Sequence, residues 1–182
     1  MYAPGSLVVY RHHVCEVAAV REDYYDGKDY LELHALFQNS LKLFVSAEEA
    51  HLPTLRPVMT KKEALALVDS IADADGIDES SFELGANTPT VLERRVREEY
   101  DRRLKTFAPE DLVPIMKSVH ERTARREGAG RQITATDKKY FDLAEGLLCD
   151  ELSVSLGIPR ENVKDFLVER VKQVEAKRRR RS

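Results

Sequence analysis

Residues 5–50 read GSLVVYRHHVCEVAAVREDYYDGKDYLELHALFQNSLKLFVSAEEA, and this stretch decides the fold. Short runs of β-branched and aromatic residues alternate in it with turn-forming residues, which is typical of strands in an antiparallel sheet. The runs are too short for stable helices, so we expect strands at residues 7–10, 14–20 and 41–45. Almost nothing later in the chain has this pattern.

A hairpin is predicted in the middle of the stretch, at Asp26 and Gly27. Both residues tolerate a positive φ, and apolar and polar residues alternate after them at residues 30–34. Four or five short antiparallel strands within about 50 residues cannot form a large sandwich, so we predict a small, strongly curved barrel of the SH3 or Tudor type. Lys42 and Phe44 would point the same way from an edge strand of this barrel, where a partner can add a strand of its own.

The sequence after Pro57 has the period of helices. Capping residues or an N-terminal proline mark five expected helix starts, at Thr60, Thr90, Asp111, Thr134 and Pro159. The acidic segment at residues 73–83 lacks the spacing of an EF-hand, so we expect a mobile loop there and no calcium site. The sequence therefore predicts an α+β chain, all-β and then all-α, whose second half is a compact bundle of about five helices.

The composition excludes several classes of protein. The chain has 182 residues, 42% of them hydrophobic, so it can bury a core, and its 29 basic and 32 acidic residues give a net charge of −3, unlike a uniformly basic nucleic-acid coat. The N-terminus lacks the pattern of a signal peptide, and no apolar run approaches the roughly 20 residues of a membrane span. Cys15 and Cys149 show no disulfide framework, which suits a reducing compartment. We expect a soluble, cytoplasmic monomer with no membrane partner.

The sequence contains none of the common motifs for catalysis or metal binding. GxGxxG, GxxxxGK[ST], GxSxG, HExxH and paired CxxC are all absent, so we expect no enzyme, no cofactor and no metal. A metal cluster is one alternative, since His12, His13, Cys15, His34 and His51 all lie in the first domain. A hydrolase or metal enzyme is another, and it would use His12, His13 and His34. Histidines without a metal are more common on a small exposed barrel than a metal cluster is, because zinc ligands usually come in closer pairs in the sequence.

Basic residues in the second half are candidates for contact with DNA. They are Arg94, Arg95, Arg97, Arg122, Arg125 and Arg126. The first three alternate with acidic residues, which is more typical of a solvated helix with i,i+4 ion pairs. The last three have fewer acidic neighbours and can follow a phosphate backbone. The basic run at residues 177–181 is typical of a solubilising tail.

Several short motifs follow one another in a specific order. They are Gly5, Val8-Val9-Tyr10, His13, the Gly27 hairpin, Tyr30-Leu31-Glu32-Leu33, Val45 with Ala47-Glu48, Leu55-Arg56, and the tracts at residues 104–111 and 144–152. In this order they resemble the CarD and CdnL family of bacterial transcription regulators over nearly the whole chain. The resemblance implies a Tudor-like domain, residues 1–57, that docks on the β subunit of RNA polymerase. It also implies a helical domain, residues 58–182, that reaches promoter DNA near the upstream edge of the open bubble.

The DNA-contacting motif of the family is altered in this chain. Its wedge, a tryptophan followed by a basic pair and a tyrosine, falls on Val96, with Glu98 and Glu99 in the place of basic residues. A valine has little surface to offset the cost of unstacking a base step, which is on the order of a few kcal/mol. We therefore expect a DNA contact that is weakened or moved elsewhere.

The docking residues are altered as well, since two arginines that the family often uses for polymerase fall on Asp23 and Phe44. Backbone pairing along an edge strand needs no particular side chain. The polymerase-binding residues expected from the resemblance are Asp23, Tyr25, Lys42, Leu43, Phe44 and Val45. The sequence thus predicts a non-enzymatic, CarD-like transcription regulator. The alternative is a divergent protein-interaction module with a purely structural helical half and neither polymerase nor DNA as a partner.

Overall fold

The computed structural model describes residues 2–50, 53–83 and 88–179. The chain is α+β, as predicted, with a five-stranded antiparallel sheet followed by six α-helices in the described ranges. Its contacts divide it into two compact units. The sheet unit comprises Met1–Leu65 and Cys149–Lys164, and the helical unit comprises Ala66–Leu148 and Asp165–Ser182. The predicted domain boundary after residue 57 stays a prediction.

The sheet consists of β1 (Leu7–Tyr10), β2 (His13–Tyr25), β3 (Lys28–Ala35), β4 (Lys42–Ser46) and β5 (Leu55–Pro57). The strands lie in the order β4-β3-β2-β1-β5, and all neighbours are antiparallel. One face of the sheet is a core of alternating apolar residues, namely Val8, Cys15, Val17, Leu31, Leu33, Val45 and Leu55. The period of two therefore decides which side chains leave water and which stay exposed.

The predicted hairpin is confirmed, because Tyr25 pairs with Lys28 across Asp26 and Gly27. Both turn residues have a positive φ, 52° and 67°, as a two-residue hairpin of this kind requires. β2 is longer than predicted and has register shifts between Val17 and Ala19 and between Arg21 and Tyr25. Such bulges bend a long strand and increase its twist.

The predicted barrel is not confirmed, because the sheet is not closed. Among the described strands, β4 and β5 lie at opposite edges and do not pair with each other. β5 has three residues and ends at Pro57, which has no N–H for a further ladder hydrogen bond. Among the described strands, β4 is therefore an edge strand.

The α-helices are α1 (Lys61–Ser70), α2 (Ser80–Glu83), α3 (Pro89–Leu104), α4 (Leu112–Gly128), α5 (Ala135–Leu156) and α6 (Val163–Arg179). None of the described helices combines the length and the apolar character that crossing a bilayer requires. α5 has the strong apolar face that was predicted for it, with Tyr140, Ala144, Leu148, Leu152 and Leu156 buried at every fourth position. It ends before Gly157, whose φ of 68° suits a helix C-cap.

Two of the predicted capping boxes have different outcomes. The first is confirmed, because the Thr60 hydroxyl accepts the Glu63 N–H at 3.3 Å and the Thr60 N–H donates to the Glu63 carboxylate at 2.8 Å. The second is wrong, because α3 starts two residues earlier, with Thr88 as N-cap and Pro89 in its first turn. Pro89 can open a helix because it lacks only an N–H that would be unpaired there.

Part of the acidic segment packs against α4, and its predicted mobility stays a prediction. Ile77 is 8% exposed, and its N–H donates to the Ser118 hydroxyl at 2.5 Å. Gly76 lies so close to α4 that a Cβ added to it would be 2.8 Å from the Glu121 carboxylate. The segment also contains the single turn of α2, while Gly85 lies outside the described residues.

A bidentate ion pair fastens the sheet to α5 within the sheet unit. Arg56 of β5 donates from Nη1 and Nη2 to the two carboxylate oxygens of Glu151, at 2.5 and 2.7 Å. Oε1 of Glu151 also accepts the Met59 N–H at 3.1 Å. The Glu151 side chain is 5% exposed and that of Arg56 is 23% exposed, so the pair is largely shielded from solvent.

Glu151→Ala should lower the free energy of unfolding of the sheet unit by about 3 kcal/mol, because it leaves a shielded guanidinium without its counter-charge. Urea unfolding followed by circular dichroism measures this. Glu48→Ala is the matched control, since it removes an exposed pair with Lys28 in the same unit and should leave the midpoint nearly unchanged. Equal effects of the two substitutions would contradict the role given to Glu151.

Candidate protein-interaction site

The backbone of β4 pairs with β3 on one side only, among the strands that the structure describes. The Ala35 N–H donates to the Leu41 carbonyl at 3.0 Å, and the register places Leu43 opposite Leu33. Since hydrogen-bonded pairs alternate in an antiparallel ladder, Leu41, Leu43 and Val45 bond to β3. Lys42 and Phe44 then direct their N–H and C=O groups away from β3, toward the free edge.

The side chains of β4 alternate between the core and the outer face. Val45 is buried at 3% exposure, whereas Phe44 is 40% exposed and Lys42 is exposed beside it. Lys42 and Phe44 therefore share the outer face, as predicted, while Leu43 is half-buried. Of the six expected polymerase-binding residues, Val45 is turned away from a partner, because its side chain is buried and its backbone groups bond to β3.

Three aromatic side chains form a cluster on this face, which we call the aromatic cluster. Tyr24 stacks on Phe44, with ring centroids 4.9 Å apart and planes inclined by 4°. Tyr24 also contacts Tyr30 in a tilted arrangement, at 5.7 Å. Tyr24 is 51% exposed, so the cluster combines a fixed geometry with surface that a partner can cover. Sequence reasoning missed Tyr24 and Tyr30, although the pair Tyr24-Tyr25 before a tight turn was a signal for them.

Glu32 lies beside the aromatic cluster, opposite Phe44, and is the centre of a charged network. Its carboxylate accepts from Arg21 at 2.8 and 2.6 Å, is hydrogen-bonded to His34 Nε2 at 2.8 Å, and lies 3.6 Å from the Lys42 ammonium. The Glu32 side chain is 6% exposed, because these partners cover it. Its hydrogen bonds with His34 and Arg21 lower the pKa of Glu32 to about 2.

The other two expected docking residues lie near the hairpin. Asp23 is exposed with a φ of 48°, and its N–H donates to the Asp29 carboxylate at 3.1 Å. Tyr25 is 69% exposed. Tyr24 lies between them in sequence and stacks on Phe44, so the aromatic cluster joins the hairpin residues to the edge strand.

The histidines of the metal alternative do not form a binding cluster in the part of the chain that the structure describes. No group of three His, Cys, Asp or Glu side chains there could hold a metal ion. Cys15 is fully buried in the core, and burial raises the pKa of its thiol to about 11. His34 is committed to Glu32, and His51 lies outside the described residues.

The expected DNA wedge position lies in the core of the helical unit. Val96 is 2% exposed, and Tyr100, one turn later on α3, is 1% exposed and packs on Tyr140 with ring centroids 5.0 Å apart. Val96 therefore presents no side-chain surface to DNA in this structure. A tryptophan at position 96 would overpack the core, which typically costs about 1–3 kcal/mol.

Arg122 is enclosed by acidic side chains. It donates to Glu93 at 2.5 and 2.6 Å, to Glu79 at 3.0 Å and to Asp137 at 3.2 Å. Burial by itself would lower the pKa of Arg122, but the hydrogen bonds to Glu93 and the charges of Asp137 and Glu79 raise the pKa above its ordinary range. With 7% of its side chain exposed, Arg122 holds α3, α4 and α5 together in place of reaching a phosphate.

The remaining arginine candidates vary in how strongly they are engaged. Arg95 donates to the Phe82 carbonyl at 2.8 Å, Arg126 donates to the Gln132 carbonyl at 2.8 Å, and Arg125 pairs with Glu79 at 2.9 Å. Arg94 has a loose pair with Glu98 at 3.7 Å, and Arg97 is exposed. The arginines predicted to follow a phosphate backbone, Arg122, Arg125 and Arg126, therefore all have partners within the chain. The end of the basic tail, residues 180–181, lies outside the described residues.

Comparison with known proteins finds no matching family model and no matching curated protein. The resemblance to the CarD and CdnL family stays a prediction from the motifs quoted above.

The pKa of Glu32 predicts a dependence of stability on pH. The pKa of Glu32 is near 2 in the folded state, whereas that of an unfolded glutamate is about 4.3. Ionised Glu32 therefore stabilises the fold fully above about pH 4.3, and this stabilisation is lost as the pH falls from there toward 2. The difference in urea midpoint between wild type and Glu32→Gln should thus be largest near pH 6 and shrink through this window. Asn39→Ala, at an exposed position without a titratable side chain, is the control and should show a flat difference.

Proposed function

We propose that the chain is a non-enzymatic, CarD-like transcription regulator that docks on the β subunit of bacterial RNA polymerase and modulates initiation in the cytoplasm. The observation that carries the proposal is the free edge of β4, with Lys42 and Phe44 exposed on it. The strand order β4-β3-β2-β1-β5 in a sheet of short, bent strands supports a Tudor-like domain at residues 1–57. Residues 58–182 would form the helical domain.

Docking by strand addition suits this edge. A partner strand beside β4 would take the outward N–H and C=O groups of Lys42 and Phe44, which supplies affinity without a specific side chain. The aromatic cluster would add side-chain contact, since aromatic residues are enriched at protein interfaces. This accounts for docking by a chain that has Asp23 and Phe44 where the resemblance implies arginines.

Contact with promoter DNA would be weak or altered. Val96 is buried, and Arg122 is enclosed by three carboxylates, so two of the expected DNA contacts have structural roles. Arg94, Arg97 and Arg125 remain exposed and can attract phosphate, in a manner that depends strongly on salt.

A second candidate function is a protein-interaction module that uses the same edge for a different partner. The burial of Val96 and the enclosure of Arg122 favour it, because they give the helical unit the character of a scaffold. Identification of the proteins captured by the full chain separates the two, since recovery of polymerase would eliminate the second.

Lys42→Pro should reduce capture of RNA polymerase by the full chain about tenfold or more. Proline removes the outward N–H of an edge residue while the bonds of β4 to β3 remain, because edge positions with a solvent-facing N–H tolerate proline. Pull-down from a bacterial extract, quantified for the β subunit, measures the effect.

Lys42→Ala is the matched control, because it removes the same side chain but keeps the N–H. It should retain capture within about threefold of wild type, since an exposed charge contributes little. If the wild-type chain retains no β subunit, the docking proposal fails. If both variants lose capture equally, the Lys42 side chain and not the backbone is responsible.

Val96→Ala should lower the free energy of unfolding by about 2 kcal/mol and leave affinity for a bubble-containing promoter fragment within about twofold. The physical reason is that Val96 fills space in the core and is only 2% exposed. Arg97→Ala, one residue along on the exposed face, should do the opposite, with unchanged stability and weaker binding at low salt. Urea unfolding and fluorescence anisotropy measure the two quantities, and a large loss of DNA affinity in Val96→Ala alone would contradict the assignment.

A further inference from the structure

The helical unit contains an apolar cavity that has no part in the proposed function. Its volume is about 210 Å³, and it is lined by Ile71, Val113, Met116, Lys117, His120 and Phe141. Four of these residues belong to α4, at spacings of three and four, so one face of that helix forms a wall. Phe141 of α5 and Ile71, just after α1, complete it.

The lining of the cavity is mostly apolar and includes two basic side chains. Val113 is 4% exposed, and Ile71, Met116 and Phe141 are half-buried, so these four side chains form the apolar part of the lining. Lys117 and His120, one turn apart on α4, are the basic side chains of the lining, and His120 is exposed. None of the lining residues is acidic, so the charge of Lys117 is not neutralised from within the cavity wall.

We propose that this cavity binds a small carboxylic acid with an apolar body, such as an arylalkanoate, whose ring lies between Met116 and Phe141 and whose carboxylate lies at Lys117. The size supports this class, because an apolar cavity of about 150 Å³ holds a benzene molecule. The volume of 210 Å³ leaves room for a ring and a short chain but not for a nucleotide. The ammonium of Lys117 selects an acid over an amine of the same shape.

The interior also gives the ligand specific contacts. A methionine sulfur packs favourably at the edge of an aromatic ring, and a phenyl side chain adds stacked or edge-to-face contact. Burial of a ring supplies most of the affinity, and the charge supplies the selectivity. A ligand of about 11 heavy atoms with the binding efficiency usual for small molecules has a Kd on the order of 1 mM.

Methionine methyl resonances test the proposal on the full chain. The chain has three methionines, Met1, Met59 and Met116, so methyl-¹³C-methionine labelling gives three signals. Titration with 3-phenylpropionate should shift the Met116 signal saturably and leave that of Met59 in place. Titration with 3-phenylpropylamine, which has the same ring and chain but the opposite charge, should bind at least fivefold more weakly. A Met116 signal that does not saturate with the acid, or equal affinities for acid and amine, would overturn the proposal.

Charge reversal at Lys117 gives a sharper outcome. In Lys117→Glu the preference should invert, with the amine binding more tightly than the acid, since the apolar wall is unchanged. Lys105→Glu is the matched control, because it changes the net charge equally at an exposed position on another element and should alter neither affinity more than about twofold. Circular dichroism of both variants checks that they are folded. Retention of the acid preference in Lys117→Glu would also overturn the proposal, since the selectivity would then have another source.

Discussion

The pairing of Arg56 with Glu151 is the constraint on which the sheet unit depends. It joins residues 95 apart in sequence, in a bidentate geometry that orients both side chains. Closing so long a loop costs conformational entropy, but that cost grows only slowly with length. β5 has three residues and pairs with β1 alone among the described strands, so the hydrogen bonds between these two strands fix its position only weakly. The ion pair therefore keeps β5 in place beside β1 and defines one edge of the sheet, while β4 remains as the other.

Buried carboxylates have a similar role in three places. Glu151 holds β5, Glu32 gathers Arg21, His34 and Lys42 on the outer face, and Asp137 with two glutamates encloses Arg122. The net charge of −3 reveals none of this, because opposite charges that pair locally cancel in the total. Burying such groups is costly unless each is paired and hydrogen-bonded, so these networks select a particular packing. Three of the cationic side chains expected as docking or DNA contacts, Lys42, Arg122 and Arg125, are committed to these networks.

Local signals in the sequence predicted local structure well. Asp26-Gly27, the box of Thr60 with Glu63, and Gly157 each act through backbone geometry within a few residues, and each is where it was expected. The predictions failed where residues that are far apart in the sequence determine the structure. Thr90 lost its capping role to Thr88, while Glu93 turned to Arg122, 29 residues away. Likewise, alternation along β4 predicted Lys42 and Phe44, but the aromatic cluster and the network of Glu32 depend on pairing across strands, which no single strand displays.

The free edge of β4 also affects how readily copies of the chain associate with one another. An exposed ladder of N–H and C=O groups beside aromatic side chains is a template for pairing between copies of the same chain. β4 is only five residues long, and Lys42 places an ammonium near one end of it. A short edge strand that carries a lysine is a poor template for such pairing, and the bulges of β2 twist the sheet behind it. Lys42 therefore serves as a gatekeeper against self-association.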